Sequence, residues 1–335
     1  MIDKRALGTS GLMITTVGYG TWAVGGGGWA FGWGPSDDDA SIKAIGHAVS
    51  RGVNWIDTAA IYGLGHSEEV VGRAIALVPA SERPLVFTKC GLEPDLSDPF
   101  KPARRNLRPD FIRRECEASL RRLGVDRIDL YQFHWPDETD TPVEDSWGEM
   151  SRLADEGKVG ALGVSNFSVE LLERCEHVRH VDSLQPPFSM IHRNSGGTLI
   201  PWAAAHGTGV IVYSPMTSGI LTDTFSRERV AAMSEEDWRR RGGDFNDPAL
   251  SKNIAMRDAL IPVAKRHGVG VAPVAVAWTL LWSGVSGAIV GARRPEQVDD
   301  WLPAGSLKLT SQDIEEISDA IDRIGVGQGP MRPAD

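Results

Sequence analysis

Asp57, Tyr62, Lys89 and His134 are ionisable residues of the types needed to move a proton onto an oxygen. Asp57, Lys89 and His134 close the short apolar runs GVNWIDTA, PLVFTK and RIDLYQFH, and Tyr62 follows Asp57 by five residues. A Lys ammonium beside a Tyr hydroxyl stabilises the phenolate and draws a pKa of about 10 toward working pH. An Asp beside that Lys keeps it charged despite partial burial. A Tyr so tuned can give a proton to an oxygen that is gaining negative charge and take it back in reverse, while a His orients that oxygen. The set suits carbonyl reduction, in which the hydride has to come from a cofactor.

The elements that must bring these residues together recur along the chain. Eight apolar runs, TTVGYGT, GVNWIDTA, PLVFTK, RIDLYQFH, VGALGVSN, VDSLQPP, GVIVYSP and SGAIVGA, alternate with segments of helical spacing. The helical segments are DDDASIKAIGHAVSRG, SEEVVGRAIAL, PDFIRRECEASLRRLG, VEDSWGEMSRLADEGK, VELLERCEHV and NIAMRDALIPVAKRHG; several start at Asp or Ser and stop at Gly. Near-continuous apolar strands alternating with helices predict a parallel sheet covered by helices, and eight units predict a closed α/β barrel of the (β/α)8 type. We expect residues 1–335 to form a single barrel domain. RALGTSGLMI reads as a hairpin covering one barrel end, and residues 217–255 read as an elaborated loop between strands seven and eight that folds over a bound cofactor. In such a barrel, function gathers at the C-terminal ends of the strands. Those ends offer Gly20 and Trp22, Asp57, Lys89, His134, Ser165 and Asn166, Gln185, Tyr213 and Ser214, and Gly291 and Arg293.

Composition narrows the partners. With 35 basic against 45 acidic residues and a formal charge of −10, the chain is poorly suited to gripping a phosphate backbone, so nucleic acid is not expected as a partner. Cys90, Cys116 and Cys175 are odd in number and widely spaced, which suggests a reducing compartment, the cytoplasm by default. The start, MIDKRALG, lacks the apolar stretch of a signal peptide. The charge-free stretch from Gly268 to Ala292 is divided by Pro273, Gly284 and Gly287 into helix-length and strand-length pieces, so no membrane association is expected.

GVNWIDTAAIYGLGHSEEVVG resembles the signature segment of the aldo-keto reductases, with Gly52, Asp57, Tyr62, Ser67, Glu68, Glu69 and Gly72 in place. The resemblance continues through FTK at Lys89, DLYQFHWP at His134, GVSNF at Ser165 and Asn166, LQPPFS at Gln185, YSPMTSGIL at Tyr213 and GARRPEQV near the end. It spans roughly Arg5 to Ile324. It implies reduction of aldehydes or ketones to alcohols, or the reverse, with NADPH and with Asp57, Tyr62, Lys89 and His134 as the catalytic tetrad. It also implies that Tyr213 stacks on the nicotinamide ring and that Ser165, Asn166 and Gln185 hold its carboxamide. Ser214, Met216, Gly219 and Leu221 would line the pyrophosphate path, and Gly20, Thr21, Trp22 and Asp57 would complete the cofactor's surroundings.

At the adenosine end the chain departs from the best-known members. It has Gly291, Ala292, Arg293 and Arg294, then Gln297 and Asp300, where those carry a Lys-Ser pair followed by Arg, Glu and Asn. Arg293 could meet a 2′-phosphate with its planar fork of donors, which favours NADPH and leaves NADH open. The other reading of Arg293 and Arg294 is a solvated pair after a strand. Trp22, Tyr62, His134 and Trp135 are expected to form the substrate pocket for a small carbonyl or alcohol, with Trp29, Phe31 and Trp33 as further apolar walls. A homo-oligomer is compatible with the sequence.

Gly18, Gly20 and Ala23 form a nominal dinucleotide fingerprint, but the glycine-rich AVGGGGWAFGWG that follows cannot open a helix. His177 and His180 lack the neighbouring ligands of a metal site, and no metal is expected. Cys90 reads as a small buried hydrophobe. Two other functions are compatible with parts of the pattern. One is a Schiff-base lyase using Lys89, which a neighbouring Asp57 disfavours. The other is a cofactor-binding regulatory subunit resembling the channel β-subunits of the same family.

Overall fold

The computed structural model describes residues 1–334. Strands β1 (Lys4–Ala6) and β2 (Met13–Thr15) form an antiparallel hairpin. Eight parallel strands then close a barrel: β3 (Val17–Gly20), β4 (Trp55–Asp57), β5 (Leu85–Cys90), β8 (Ile128–Phe133), β9 (Val159–Ser165), β10 (Ser183–Gln185), β11 (Gly209–Val212) and β12 (Val285–Gly291), with β12 pairing back to β3. A short antiparallel pair, β6 (Leu92–Glu93) and β7 (Arg104–Arg105), decorates the loop after β5. The (β/α)8 expectation holds, and each of the eight apolar runs supplies one barrel strand.

Helices α1 (Asp38–Ser50), α2 (His66–Ala76), α3 (Pro109–Leu123), α4 (Val143–Asp155), α5 (Val169–Glu176) and α6 (Leu199–His206) follow successive strands. After β11 come α7 (Arg227–Ala231), α8 (Ala249–Ala259), α9 (Ile261–His267) and α10 (Val271–Thr279). Then α11 (Pro295–Trp301) and α12 (Ser311–Ile324) complete the chain. Asp37 and Ser168 cap α1 and α5 through their side chains, and Gly124, Gly207, Gly268 and Gly325 take left-handed conformations where α3, α6, α9 and α12 stop. One helical segment is corrected: 253–268 contains the end of α8 and all of α9, interrupted at Leu260, because Pro262 has no N–H to continue the ladder. The charge-free stretch becomes α10 followed by β12, and among the described residues no helix is long and apolar enough to cross a membrane.

Strand alternation decides what enters the barrel. Trp55, Phe87, Leu130, Ala161, Ile211 and Ile289 face inward and form a core that Leu7 and Ile14 close from the hairpin side. The Trp55 indole N–H donates to Thr15 O at 2.8 Å, tying hairpin to lumen. Gly18 and Gly287 make room for that indole, since a Cβ on either would lie within 3 Å of it. One step of period two further along the strands come Asp57, Lys89, Gln132 and Tyr213, with Ser165 two steps beyond Ala161, at the opposite end of the lumen. The apolar core thus forms a floor under a polar layer.

Candidate active site

Asp57 and Lys89 are almost fully buried in that layer. Lys89 Nζ donates to Asp57 Oδ1 at 2.5 Å, to the Thr58 carbonyl at 2.9 Å and to Tyr62 Oη at 3.3 Å. All three ammonium protons are used. Because Tyr62 Oη accepts from Lys89, its own proton is free to be donated toward the cavity. Burial lowers the affinity of Lys89 for its proton, but Asp57 and Tyr62 outweigh this and hold it above the ordinary lysine value.

For Tyr62, burial raises the phenol above its ordinary value; the Lys89 charge opposes this and Asp57 adds to it. The net rise corrects the expectation from sequence that Lys89 would bring Tyr62 down toward neutrality. Burial and the Lys89 charge push His134 well below the ordinary histidine value, so its imidazole is neutral. Its ring meets Tyr62 edge to face, with centroids 5.6 Å apart.

The loop carrying Tyr62 is fixed by close backbone contact. Gly63 and Leu64 take left-handed conformations after Tyr62, and Gly25 lies so near that a Cβ there would come within 3 Å of Gly63 N and the Tyr62 carbonyl carbon. Part of the glycine-rich run therefore packs against the loop that holds the proposed donor. Residues of the signature segment secure α2 behind it. Ser67 Oγ donates to Thr21 Oγ1 at 2.8 Å, and buried Glu68 accepts from Thr88 at 2.6 Å and Arg122 Nε at 2.7 Å.

The sequence reading passed over Gln132. It is fully buried between Lys89 and Gly163 in register, and its amide donates to Asp57 Oδ2 at 3.4 Å. Gln185 donates to the same oxygen at 2.9 Å and to Gln132 Oε1 at 3.2 Å. The free Asp57 oxygen is thus held by two amides. The signal was available: Gln132 follows the lumen residue Leu130 by two and precedes His134 by two.

A cavity of about 530 Å³ opens above this layer. Tyr62, Asp57 and His134 reach its wall, as do Gly20, Thr21, Trp22, Trp135, Ser165, Asn166, Gln185, Tyr213, Ser214, Met216, Gly219, Gly291, Arg293, Gln297 and Asp300. Lys89 sits behind Tyr62. Leu221 is fully buried in the outer core, with its neighbours Gly219 and Thr222 at the cavity wall. Around β9 and β11 the walls are strained, with Asn166, Ser214, Thr217 and Ser218 all at positive φ. Asn166 donates to His134 O and Ser165 Oγ, both at 3.0 Å, and accepts from Tyr213 Oη at 2.8 Å, which sets the Tyr213 ring.

At the far end Arg293 is half-buried. Its backbone N–H donates to Gln297 Oε1 at 2.8 Å and its guanidinium to Pro35 O at 3.2 Å. Burial and the charges of Arg239, Arg229 and Arg294 pull it below the ordinary arginine value, against the weaker pull of Asp237. Arg229 and Arg239 also line the cavity and were not singled out from sequence, where nothing distinguishes Arg239 from its neighbours Arg240 and Arg241. The loop after β11 folds across the cleft. Trp238 stacks on Trp22 with centroids 5.0 Å apart, and its backbone N–H donates to Gly32 O at 3.0 Å.

Residues 16–322 match the model of the aldo/keto reductase family. The chain belongs to that family. An aldo-keto reductase of Bacillus subtilis is 33% identical over 322 residues, covering 96% of this chain and 94% of the relative. The NADH-specific methylglyoxal reductase of Escherichia coli is 32% identical over 340 residues, covering 96% of this chain and the whole of the relative. Among solved structures, the glycerol dehydrogenase of Gluconobacter oxydans superposes with a TM-score of 0.86 at 36% identity, over 99% of this chain and 98% of its own. An aldo-keto reductase from Bacillus halodurans in its holo form gives 0.77 at 22% identity over 96% of each chain, which bears on the fold alone. As an aldo/keto reductase the protein is an oxidoreductase of a nicotinamide-dependent family.

Proposed function

We propose that this aldo/keto reductase reduces aldehydes or ketones to alcohols, or runs the reverse, with NADPH preferred and NADH accepted. The observation that carries the reading is the arrangement of donors at Tyr62: Lys89 bonds to its oxygen, so the phenolic proton is directed into the cavity.

The cavity suits a nicotinamide dinucleotide by its donor set. Amides and hydroxyls of Ser165, Asn166 and Gln185 stand near Tyr213 at the reaction end, and Arg229, Arg239 and Arg293 stand at the other, where among the described residues only Arg239 forms an ion pair, with Asp237 at 2.6 Å. Tyr213 would stack on the nicotinamide. Ser214, Met216 and Gly219 would follow the pyrophosphate, and Arg293 with Arg239 would meet the ribose phosphate. When bound, the cofactor supplies the hydride that becomes the new C–H bond and leaves in its oxidised form.

The remaining work belongs to the chain. Tyr62 transfers its proton to the carbonyl oxygen as negative charge grows there, leaving a phenolate. Lys89 stabilises that phenolate across the existing hydrogen bond. Asp57, held by Gln132 and Gln185, keeps Lys89 charged. His134, neutral and adjacent to Tyr62, orients the carbonyl oxygen as a hydrogen-bond partner. A Schiff base at Lys89 is disfavoured because the amine is buried, protonated and bonded in three directions. The test is a panel of aldehydes, ketones and alcohols followed by NADPH and NADH absorbance. Turnover of carbonyls, faster with NADPH, is expected; tight cofactor binding without turnover of any compound would favour a regulatory subunit instead.

A further inference from the structure

The two arms of the cavity differ in charge. On the arm away from the arginine group the wall is made by Trp22, Trp29, Phe31, Leu64, Leu92 and Trp135. Its other ionisable groups are already satisfied or neutral: Asp57 is paired with Lys89, His134 is neutral, and exposed Lys101 pairs with Asp95 at 3.2 Å and Asp98 at 3.7 Å. Arg105 differs from all of them. Its guanidinium carbon lies 4.5 Å from the centre of the Trp135 indole, and among the described residues its side chain makes no ion pair or hydrogen bond.

Its backbone is held from two sides. Arg105 pairs with Leu92 between β6 and β7, and its N–H donates to Glu138 Oε1 at 2.9 Å. The guanidinium is therefore kept over the residue that follows His134, on the cavity wall. Stacking uses the face of a guanidinium and leaves its N–H edge available, and that edge matches carboxylate and phosphate oxygens. A half-buried cation in an apolar arm without an anionic partner gains most from an anion that arrives with the substrate.

Resting on the carbonyl-reductase reading, we propose that Arg105 selects carbonyl substrates with an anionic group, carboxylate or phosphate, at the end remote from the carbonyl. The apolar body of such a substrate lies between the indoles, its carbonyl at Tyr62 and His134 and its anion at Arg105.

The test measures kcat/KM of the full chain with NADPH for two matched pairs: 4-carboxybenzaldehyde against its methyl ester, and glyceraldehyde 3-phosphate against glyceraldehyde. The expected preference for the anion in at least one pair is about tenfold to a hundredfold, the range of one charge-assisted contact. The preferred pair identifies whether carboxylate or phosphate is read. Arg105→Met, which retains the contact with Trp135, should bring that ratio close to one through KM. Arg105→Lys should restore part of it, and added salt should reduce it in the wild type. Ratios at or below one in both pairs would overturn the proposal, as would Arg105→Met lowering both members of a pair alike. Absence of turnover for all four compounds with NADPH and with NADH would overturn the parent reading and this proposal with it.

Discussion

The contact between Lys89 and Asp57 governs what Tyr62 can do. Alone in a buried site, Lys89 would tend to lose its proton; paired with Asp57 it stays an ammonium and donates to the phenol. The Tyr62 pKa is nevertheless raised, so the group carries its proton throughout the neutral range. Carbonyl reduction should accordingly hold its rate through neutral pH and fall only above the ordinary tyrosine value of about 10, which a kcat profile will check. Oxidation of the alcohol, which needs the deprotonated phenol, should rise over the same alkaline interval. At the other end of the cavity, Arg293 feels three like charges that a phosphate would relieve. Arg293→Ala should weaken NADPH roughly thirtyfold or more and NADH less than about threefold in fluorescence titrations, the difference being one charge-assisted contact. Equal losses would assign Arg293 to packing.

Elements place these residues by simple periodicity. Trp55 and Asp57, Phe87 and Lys89, Leu130 and Gln132 are pairs two apart on neighbouring strands, an apolar lumen residue followed by a polar one. The apolar runs were therefore enough to find the barrel, and their ends were enough to find Asp57, Lys89 and His134. Gln132 lies inside its run and not at the end, so inspecting the ends alone missed it although alternation marks it; the loop arginines carry no such mark, because their placement depends on how residues 217–255 cross the cleft. The pKa of Tyr62 also lay out of reach, because its sign is decided by how much solvent burial removes. Helix ends were legible where cap chemistry is local. Asp313 shows a further role of such a cap. It accepts from Thr310 N at 2.8 Å to close the capping box of α12, and it pairs with Arg266 and, at 2.7 Å, with His267. Its carboxyl is fully buried and, despite the upward push of burial, held below the usual range by these partners. A depressed carboxylate contributes stability above its unfolded pKa and loses it as pH falls through the folded value. Asp313→Ala should cost about 3 kcal/mol in urea unfolding near neutrality, with the gap to wild type shrinking below about pH 4.

At the scale of the molecule, the loops that follow β3 and β11, strands separated in the barrel only by β12, meet above the cavity. Trp238 stacks on Trp22, Arg239 lies 4.3 Å over Trp33, and Arg241 donates to Ala30 O at 2.7 Å. The cover joins the wall of the substrate arm to the loop beside the cofactor arm, so occupancy of one should steady the other. Limited proteolysis between residues 217 and 255 should slow when NADPH is added; unchanged cutting would separate this loop from cofactor binding. The roles of Asp57, Lys89 and His134 all depend on Tyr62 as the proton donor over a charged Lys89. The most direct measurement is turnover of a carbonyl substrate by Tyr62→Phe, with the NADPH dissociation constant determined on the same preparation. The expected result is a loss of kcat of about a hundredfold to ten-thousandfold with cofactor affinity nearly unchanged. Substantial residual reduction with intact NADPH binding would contradict it.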